Sequence, residues 1–192
     1  MFDREFAATS AESISSFQRG QAATACLVRV AALLDDPRVA AEFSAAAGLV
    51  HQIRDVAVAQ AEGRPSEVDL SVLEQGVRDF LGPDDDPYEE LPGWGAWAMD
   101  ITSLAAYVLR TWQLPEKSAK NCFNVLLATY SIVGYLEDDS ESDDVPELAD
   151  AEFQRQMDDI SALSSGGAWD GICRDSLVLA QSYLQWFQRI EA

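Results

Sequence analysis

The chain has 192 residues, of which 33 are acidic and 13 are basic, and its formal net charge is -20. A charge of this sign repels nucleic-acid phosphates and anionic lipid surfaces, so we expect neither nucleic acid nor a membrane as a partner. Apolar residues make up 48% of the chain, which argues against a disordered acidic tail and predicts one folded domain over residues 1–192. The first residues lack the pattern of a signal peptide, and no apolar run approaches the ~20 residues that cross a bilayer. We therefore expect a cytoplasmic protein.

The three cysteines, Cys26, Cys122 and Cys173, lie far apart in the sequence and each falls inside an apolar helical pattern. This spacing favours reduced core residues over a disulfide or zinc framework. Arg greatly outnumbers Lys and Ala is abundant, which is typical of a GC-rich bacterial genome.

Apolar residues recur at helical spacing along nearly the whole chain, and no alternating run indicates a strand. The pattern predicts an all-α, single-domain bundle of about seven to eight helices. The first helix is predicted to start near Ser10 or Ser13 and to run to Leu34, with Phe17 and Val28 on its inward stripe.

Asp36 and Pro37 are suited to the cap and the first turn of the second helix. Gly48 is expected to end or bend this helix, and Gly63 to stop its continuation. Asp69 or Ser71 caps a short helix that Gly82 ends.

The segment 94–112 gives the clearest helical pattern, with Trp94, Trp97 and Ile101 on one line. Such a wide apolar stripe predicts a helix at the centre of the bundle. Pro115 opens the following helix, which is predicted to reach Leu136 or Glu137.

A helix restarts at 145–147 and ends at the Gly166–Gly167 pair. The last helix is predicted over 168–190, with Leu177 among its inward-facing residues.

Two acidic segments, residues 84–90 and residues 137–144, lie between predicted helices, and each is beside aromatic residues. Acidic side chains beside Tyr or Trp are typical of surfaces that attract and anchor a basic protein. Solvated segments without a ligand are the alternative interpretation. The candidate partner-binding residues are Asp84, Asp85, Asp86, Tyr88, Glu89, Glu90, Trp94, Tyr135, Glu137, Asp138, Asp139, Glu141, Asp143 and Asp144.

The sequence predicts no catalytic residue. His51 is the single histidine, and Asp55, one helical turn on, is expected to hold its ring. No G-x-S-x-G elbow supplies a nucleophile. Asp100, an acid within an apolar helix, is the residue that would face a metal site if one existed.

The sequence also predicts no cofactor and no metal ligand. The run that begins at Gly93 matches G-x-G-x-x-A, but an acidic, Pro-rich segment precedes it instead of a strand. The spacing of Asp139, Glu141 and Asp143 is similar to a calcium loop, but the required Gly is Asp144.

The helix order resembles that of the uncharacterised bacterial YjaG family of small acidic helical proteins. The resemblance rests on Phe17 before Ala25-Cys26-Leu27, on Ala98-Met99-Asp100, on Leu136-Glu137, and on Pro146, Glu152 and Gln156. It covers about residues 15–160 and implies a helical fold without implying an activity. The chain departs from the family at residue 30. The family's A-C-L-C-E-R run ends in Arg, whereas this chain has Val30 after Arg29.

Among functions, we rank first a non-catalytic bacterial immunity or antitoxin-type protein that neutralises a basic protein partner, such as a toxin domain. A helical adaptor or homo-oligomeric structural protein, for instance a homodimer, is the alternative. A Mg²⁺-dependent enzyme acting on a phosphorylated small molecule ranks third.

Overall fold

The computed structural model describes residues 2–66, 68–82, 93–138 and 147–190. In these residues the chain forms eight α-helices and no strand, which confirms the predicted all-α bundle. Two short 3₁₀ helices, Ala32–Asp35 and Pro115–Lys117, lie between them. The α-helices are α1 (Arg4–Ser13), α2 (Ser16–Ala31), α3 (Pro37–Ala61), α4 (Leu70–Leu81), α5 (Trp94–Gln113), α6 (Ser118–Asp138), α7 (Leu148–Ser164) and α8 (Trp169–Phe187).

Several helix ends form where the sequence predicts them. The Asp36 side chain accepts the backbone N–H of Arg38 at the start of α3, and Pro37 occupies the first turn. Asp69 caps α4 in the same way, and Gly82 ends α4 with a φ of 80° that a residue without Cβ adopts at little cost.

The predicted first helix corresponds to α2 and the 3₁₀ helix after it, but the prediction missed α1, a separate helix that precedes it. Ile14 is extended at φ -106° and ψ 159°. Ser15 then caps α2, accepting the backbone N–H of Gln18, whose side chain accepts the N–H of Ser15 in return. This reciprocal capping box satisfies backbone donors that a continuous helix would pair differently, so it favours a new start.

The predicted bend of the second helix is also displaced. The non-helical residue inside α3 is Phe43, at φ -121° and ψ 34°, and Gly48 lies in a regular helical stretch. Residues 41, 42, 44 and 45 are exposed, whereas the Phe43 ring packs against the core. The bend thus turns one large ring inward on an otherwise solvated turn.

The helix buried on all sides is α2, not the Trp-rich α5 that the pattern favoured. Every residue from 20 to 31 is buried. Small residues let the neighbouring helices approach closely: a Cβ on Gly20 would lie 2.5 Å from ring atoms of Trp112. The Trp112 indole N–H donates to Thr24 Oγ1 at 3.2 Å and fixes this approach.

Two residues predicted to face inward do not. Leu177 is 54% exposed, because α8 turns Ile172, Ser176 and Ala180 toward the bundle and places Leu177 off that line. Phe17 is 46% exposed and contacts only the edge of the core, with its ring centroid 5.6 Å from that of Trp112.

All three cysteines are free thiols. Cys26 and Cys122 are buried, and burial raises the pKa of each to about 12. Cys173 is half-buried on α8. None of the described helices is both long and apolar enough to cross a membrane.

Candidate functional site

The attachment points of the two acidic segments lie at one end of the bundle. Helices α5 and α6 are joined by the short turn around Pro115–Lys117, so they pack as an antiparallel hairpin. The start of α5, which follows the first segment, is therefore beside the end of α6, which precedes the second. Residues 84–90 and 139–144 themselves lie outside the described residues.

Four aromatic rings join the helix ends at this place. The ring centroid of Trp97, in the first turn of α5, is 6.0 Å from that of Tyr135, in the last turn of α6. Phe187, at the end of α8, lies 4.8 Å from Trp97 and 5.3 Å from Trp94. We call this end of the bundle, marked by these four rings and Asp138, the acidic end.

The predicted binding residues that the structure describes differ in exposure. Tyr135 is 45% exposed, and Asp138, three residues on and therefore on the same side of α6, is exposed as well. Glu137 is partly exposed. Trp94 is half-buried, with its ring against Phe187. The acidic end thus presents a phenol ring and a carboxylate side by side, supported from behind by rigid aromatic packing.

A second polar site, which the sequence analysis missed, lies inside the bundle. Arg29 of α2 is 0% exposed, yet it carries a guanidinium. It donates to Glu152 Oε1 at 2.7 Å and to Asp159 Oδ2, two carboxylates of α7. Tyr183 of α8 donates its hydroxyl to Glu152 Oε2 at 2.7 Å.

Gln156 completes this group, donating to Glu152 Oε1 at 3.1 Å and to the carbonyl of Leu126 in α6 at 3.2 Å. We call Arg29, Glu152, Gln156, Asp159 and Tyr183 the Arg29 cluster. The Arg29 cluster joins α7 to α2, α6 and α8 through directional hydrogen bonds. Such bonds fix the relative position of the helices more precisely than apolar contacts alone.

The electrostatics of the Arg29 cluster follow from its burial. Burial is the largest single effect and disfavours the charged guanidinium, but the neighbouring groups, Glu152 foremost, together outweigh it, so the pKa of Arg29 is raised. Burial and then the same carboxylate raise the pKa of the Tyr183 phenol. Two carboxylates face one guanidinium, and the phenol remains a neutral donor.

A sequence signal for the Arg29 cluster did exist. Arg29 is the single charged residue in the apolar run 25–34. In α7, Glu152, Gln156 and Asp159 recur at i, i+4 and i+7. That spacing puts three polar side chains on one face of α7, which apolar periodicity alone does not detect.

The surroundings of His51 differ from the prediction. Its Nε2 lies 2.8 Å from Asp35 Oδ1, and its Nδ1 lies 3.0 Å from Arg54 Nη1. Asp55 instead accepts from Arg54. Asp35 reaches the ring because the 3₁₀ helix before α3 turns it back, which sequence spacing does not reveal. Because Arg54 donates to Nδ1, the His51 ring is tied to two neighbours and no nucleophile contacts it among the described residues.

Asp100 does not face an internal site: it is exposed on α5. Among the described residues, no three His, Cys, Asp or Glu side chains come together as a metal-binding group. An open groove of about 620 Å³ runs along the surface of α4, lined by residues of that single helix between Ser71 and Asp79.

Fold and site together define an all-α bundle with a buried ion cluster and an acidic, aromatic-lined end. Comparison with family models, with curated proteins and with solved structures found no match for this chain. The resemblance to the YjaG family stays a prediction.

Proposed function

We propose that this chain is a non-catalytic binding protein whose acidic end docks a basic protein, as a bacterial immunity or antitoxin-type protein neutralises a toxin domain in the cytoplasm. The observation that supports this proposal best is the attachment of both acidic segments at the same end of the α5–α6 hairpin, where Trp97 and Tyr135 meet.

Acidic residues are concentrated in the two sequence segments that adjoin these helix ends. Residues 84–90 contain five acids and residues 137–144 contain six, which is a third of the chain's 33 acidic residues, and neither range contains a basic one. A local field of one sign accelerates the encounter with an oppositely charged protein by ~10 to 10³-fold. The acidic end therefore favours fast capture of a basic partner.

Electrostatic attraction speeds the encounter but does not hold a partner in place, and Tyr135 is suited to hold it. Its ring is half-exposed, and the edge-on contact with Trp97 limits its motion, so little side-chain entropy is lost on binding. Tyr is among the residues that most often dominate binding energy, and Asp138 beside it offers a carboxylate to a cationic side chain.

The test begins with affinity capture of the partner from the native host, followed by binding kinetics with two variants of equal charge. The acidic-end variant neutralises the first segment. The control variant neutralises five exposed acids of the remaining surface. The acidic-end variant carries Asp84→Asn, Asp85→Asn, Asp86→Asn, Glu89→Gln and Glu90→Gln. The control carries Glu5→Gln, Glu12→Gln, Glu116→Gln, Asp170→Asn and Asp175→Asn.

We expect the acidic-end variant to associate about ten-fold more slowly or worse, and the control to stay close to the wild type. Tyr135→Ala should leave the association rate almost unchanged and raise the dissociation rate about ten-fold or more, as for an anchor residue. Equal effects of the two charge variants would contradict docking at the acidic end.

One observation favours the alternative of a homo-oligomeric structural protein. Val178 is 63% exposed next to Leu177 on α8, which gives this helix an apolar outer strip. Analytical ultracentrifugation of the wild type and of Leu177→Gln/Val178→Gln decides between the two. A wild-type dimer that the double substitution dissociates would support the alternative, and a wild-type monomer at high concentration would remove it.

A further inference from the structure

Arg38, at the start of α3, contacts the residue that caps α3, the end of α8 and the first residue of α5. Its Nε donates to Asp36 Oδ1 at 2.8 Å, and one terminal nitrogen donates to Asp36 Oδ2 at 3.1 Å. That nitrogen also donates to the carbonyl of Phe187 at 3.0 Å, and the other donates to the carbonyl of Ile190 at 2.6 Å. All three guanidinium nitrogens are therefore occupied.

Aromatic rings cover the plane of the same guanidinium. Its central carbon lies 4.2 Å from the ring centroid of Trp94 and 5.5 Å from that of Phe187. Asp36 is 1% exposed and the Arg38 side chain is 31% exposed, so a buried carboxylate meets the cation at the edge of the protein surface. Hydrogen bonds from Arg38 hold the pKa of Asp36 below its usual value.

This arrangement matches the chemistry of a guanidinium more closely than that of an ammonium. A planar fork with five N–H donors can pair with both carboxylate oxygens, reach two carbonyls and stack on an indole at once. The carbonyls at the end of α8 add the negative end of the helix dipole. A lysine ammonium is a point charge with three donors and cannot make this set of contacts together.

We propose that Arg38 is the positioning residue of the acidic end: it fills a guanidinium-selective cage in cis and fixes the first turn of α5 against the ends of α3 and α8. The cage consists of Asp36, Trp94, Phe187 and the carbonyl of Ile190. Because Trp94 is the first residue of α5, its contact with Arg38 fixes the start of the helix that follows the first acidic segment in the sequence. The relevance to partner docking rests on the proposed function, but the cage itself does not.

Chemical complementation in the absence of any partner tests the cage. Arg38→Ala removes the side chain and leaves its surroundings, and ethylguanidinium or ethylammonium is then added at low millimolar concentration and constant ionic strength. The readouts are the thermal midpoint, the Trp emission spectrum and hydrogen exchange of the amides of residues 94–98. Arg78→Ala is the matched control, since Arg78 pairs with Glu74 on an exposed helix face.

We expect Arg38→Ala to lower the midpoint, shift the Trp emission and speed exchange at the start of α5. Ethylguanidinium should restore at least half of each change in a saturable way, whereas ethylammonium should not. The Arg78→Ala variant should respond to neither compound.

Arg38→Lys and Arg38→Gln cover the case in which Arg38→Ala does not fold. Arg38→Lys should behave like Arg38→Gln, because charge without the planar fork does not fill the cage. The proposal is overturned if Arg38→Lys matches the wild type, if both compounds restore the Ala variant equally, or if neither does. None of these measurements involves a partner, so they are independent of whether the acidic end binds a basic protein.

Discussion

Replacing Arg29 by Met should be among the most damaging single changes in this chain. The substitution keeps the length of the side chain and removes its charge and its hydrogen bonds. Glu152 and Asp159, whose side chains are 0% and 10% exposed, then face each other in the core without a cation. Removing one partner of a buried ion pair costs about 3–5 kcal/mol. A domain of this kind is stable by about 5–15 kcal/mol in total, so the loss is a large share of the free energy of unfolding.

Removing the carboxylates together with the guanidinium should have the opposite effect. In Arg29→Met combined with Glu152→Leu, Asp159→Leu and Tyr183→Phe, no buried charge is left unpaired. Because apolar replacement of a buried ion group is often neutral or stabilising by about 1–4 kcal/mol, the combined variant should regain most of the lost stability.

Urea unfolding at neutral pH, followed by Trp fluorescence and circular dichroism, measures both variants. A loss of less than about 1 kcal/mol in Arg29→Met, the range of an exposed pair, would contradict a buried ion cluster at this position. A combined variant less stable than Arg29→Met alone would contradict it as well.

Three further predictions concern packing, thiol reactivity and acid stability. Gly20→Ala should lower the free energy of unfolding by about 1–3 kcal/mol, because the new Cβ would lie 2.5 Å from the Trp112 ring. Gly48→Ala is the control: it has open space around it in α3 and should raise the free energy of unfolding by about 0.5–1 kcal/mol. An aromatic disulfide reagent should label at most the half-buried Cys173 in the native protein and all three cysteines in denaturant, because burial raises the pKa of the two core thiols to about 12; rapid labelling of three thiols without denaturant would contradict it. Hydrogen bonds lower the pKa of Asp36 in the folded state, so the ionised carboxylate adds to the free energy of unfolding above the ordinary Asp pKa of about 3.9. This stability is lost as the pH falls through the lower folded pKa. Asp36→Asn keeps the helix cap and should therefore flatten the acid side of a plot of stability against pH.

Much of the fold follows from local chemistry. Asp36 with Pro37, Asp69 and Gly82 mark helix ends through capping and backbone freedom, effects that depend on a few neighbouring residues. The features that sequence reasoning missed depend on distant partners. Phe43 bends α3 because its ring packs on the core, a contact that no local pattern contains.

The candidate site divides in the same way. The acidic segments are visible as composition, but their attachment at one end follows from the antiparallel pairing of α5 and α6. The Arg29 cluster joins residues more than 120 positions apart, so only tertiary packing reveals that Arg29 and Glu152 meet. Leu177 was misassigned because a short apolar run fits two neighbouring helix faces equally well, and the packing of α8 selects the other one.

The dependence of the association rate on ionic strength tests the central claim most directly. The captured basic partner is mixed with the wild type, the acidic-end variant and the control variant between about 0.02 and 0.5 M salt, where the Debye length falls from over 20 Å to about 4 Å. We predict a rate that falls steeply with salt for the wild type and the control, and a clearly shallower slope for the acidic-end variant. A wild-type rate that does not change with salt, or equal slopes for the two variants, would contradict docking at the acidic end.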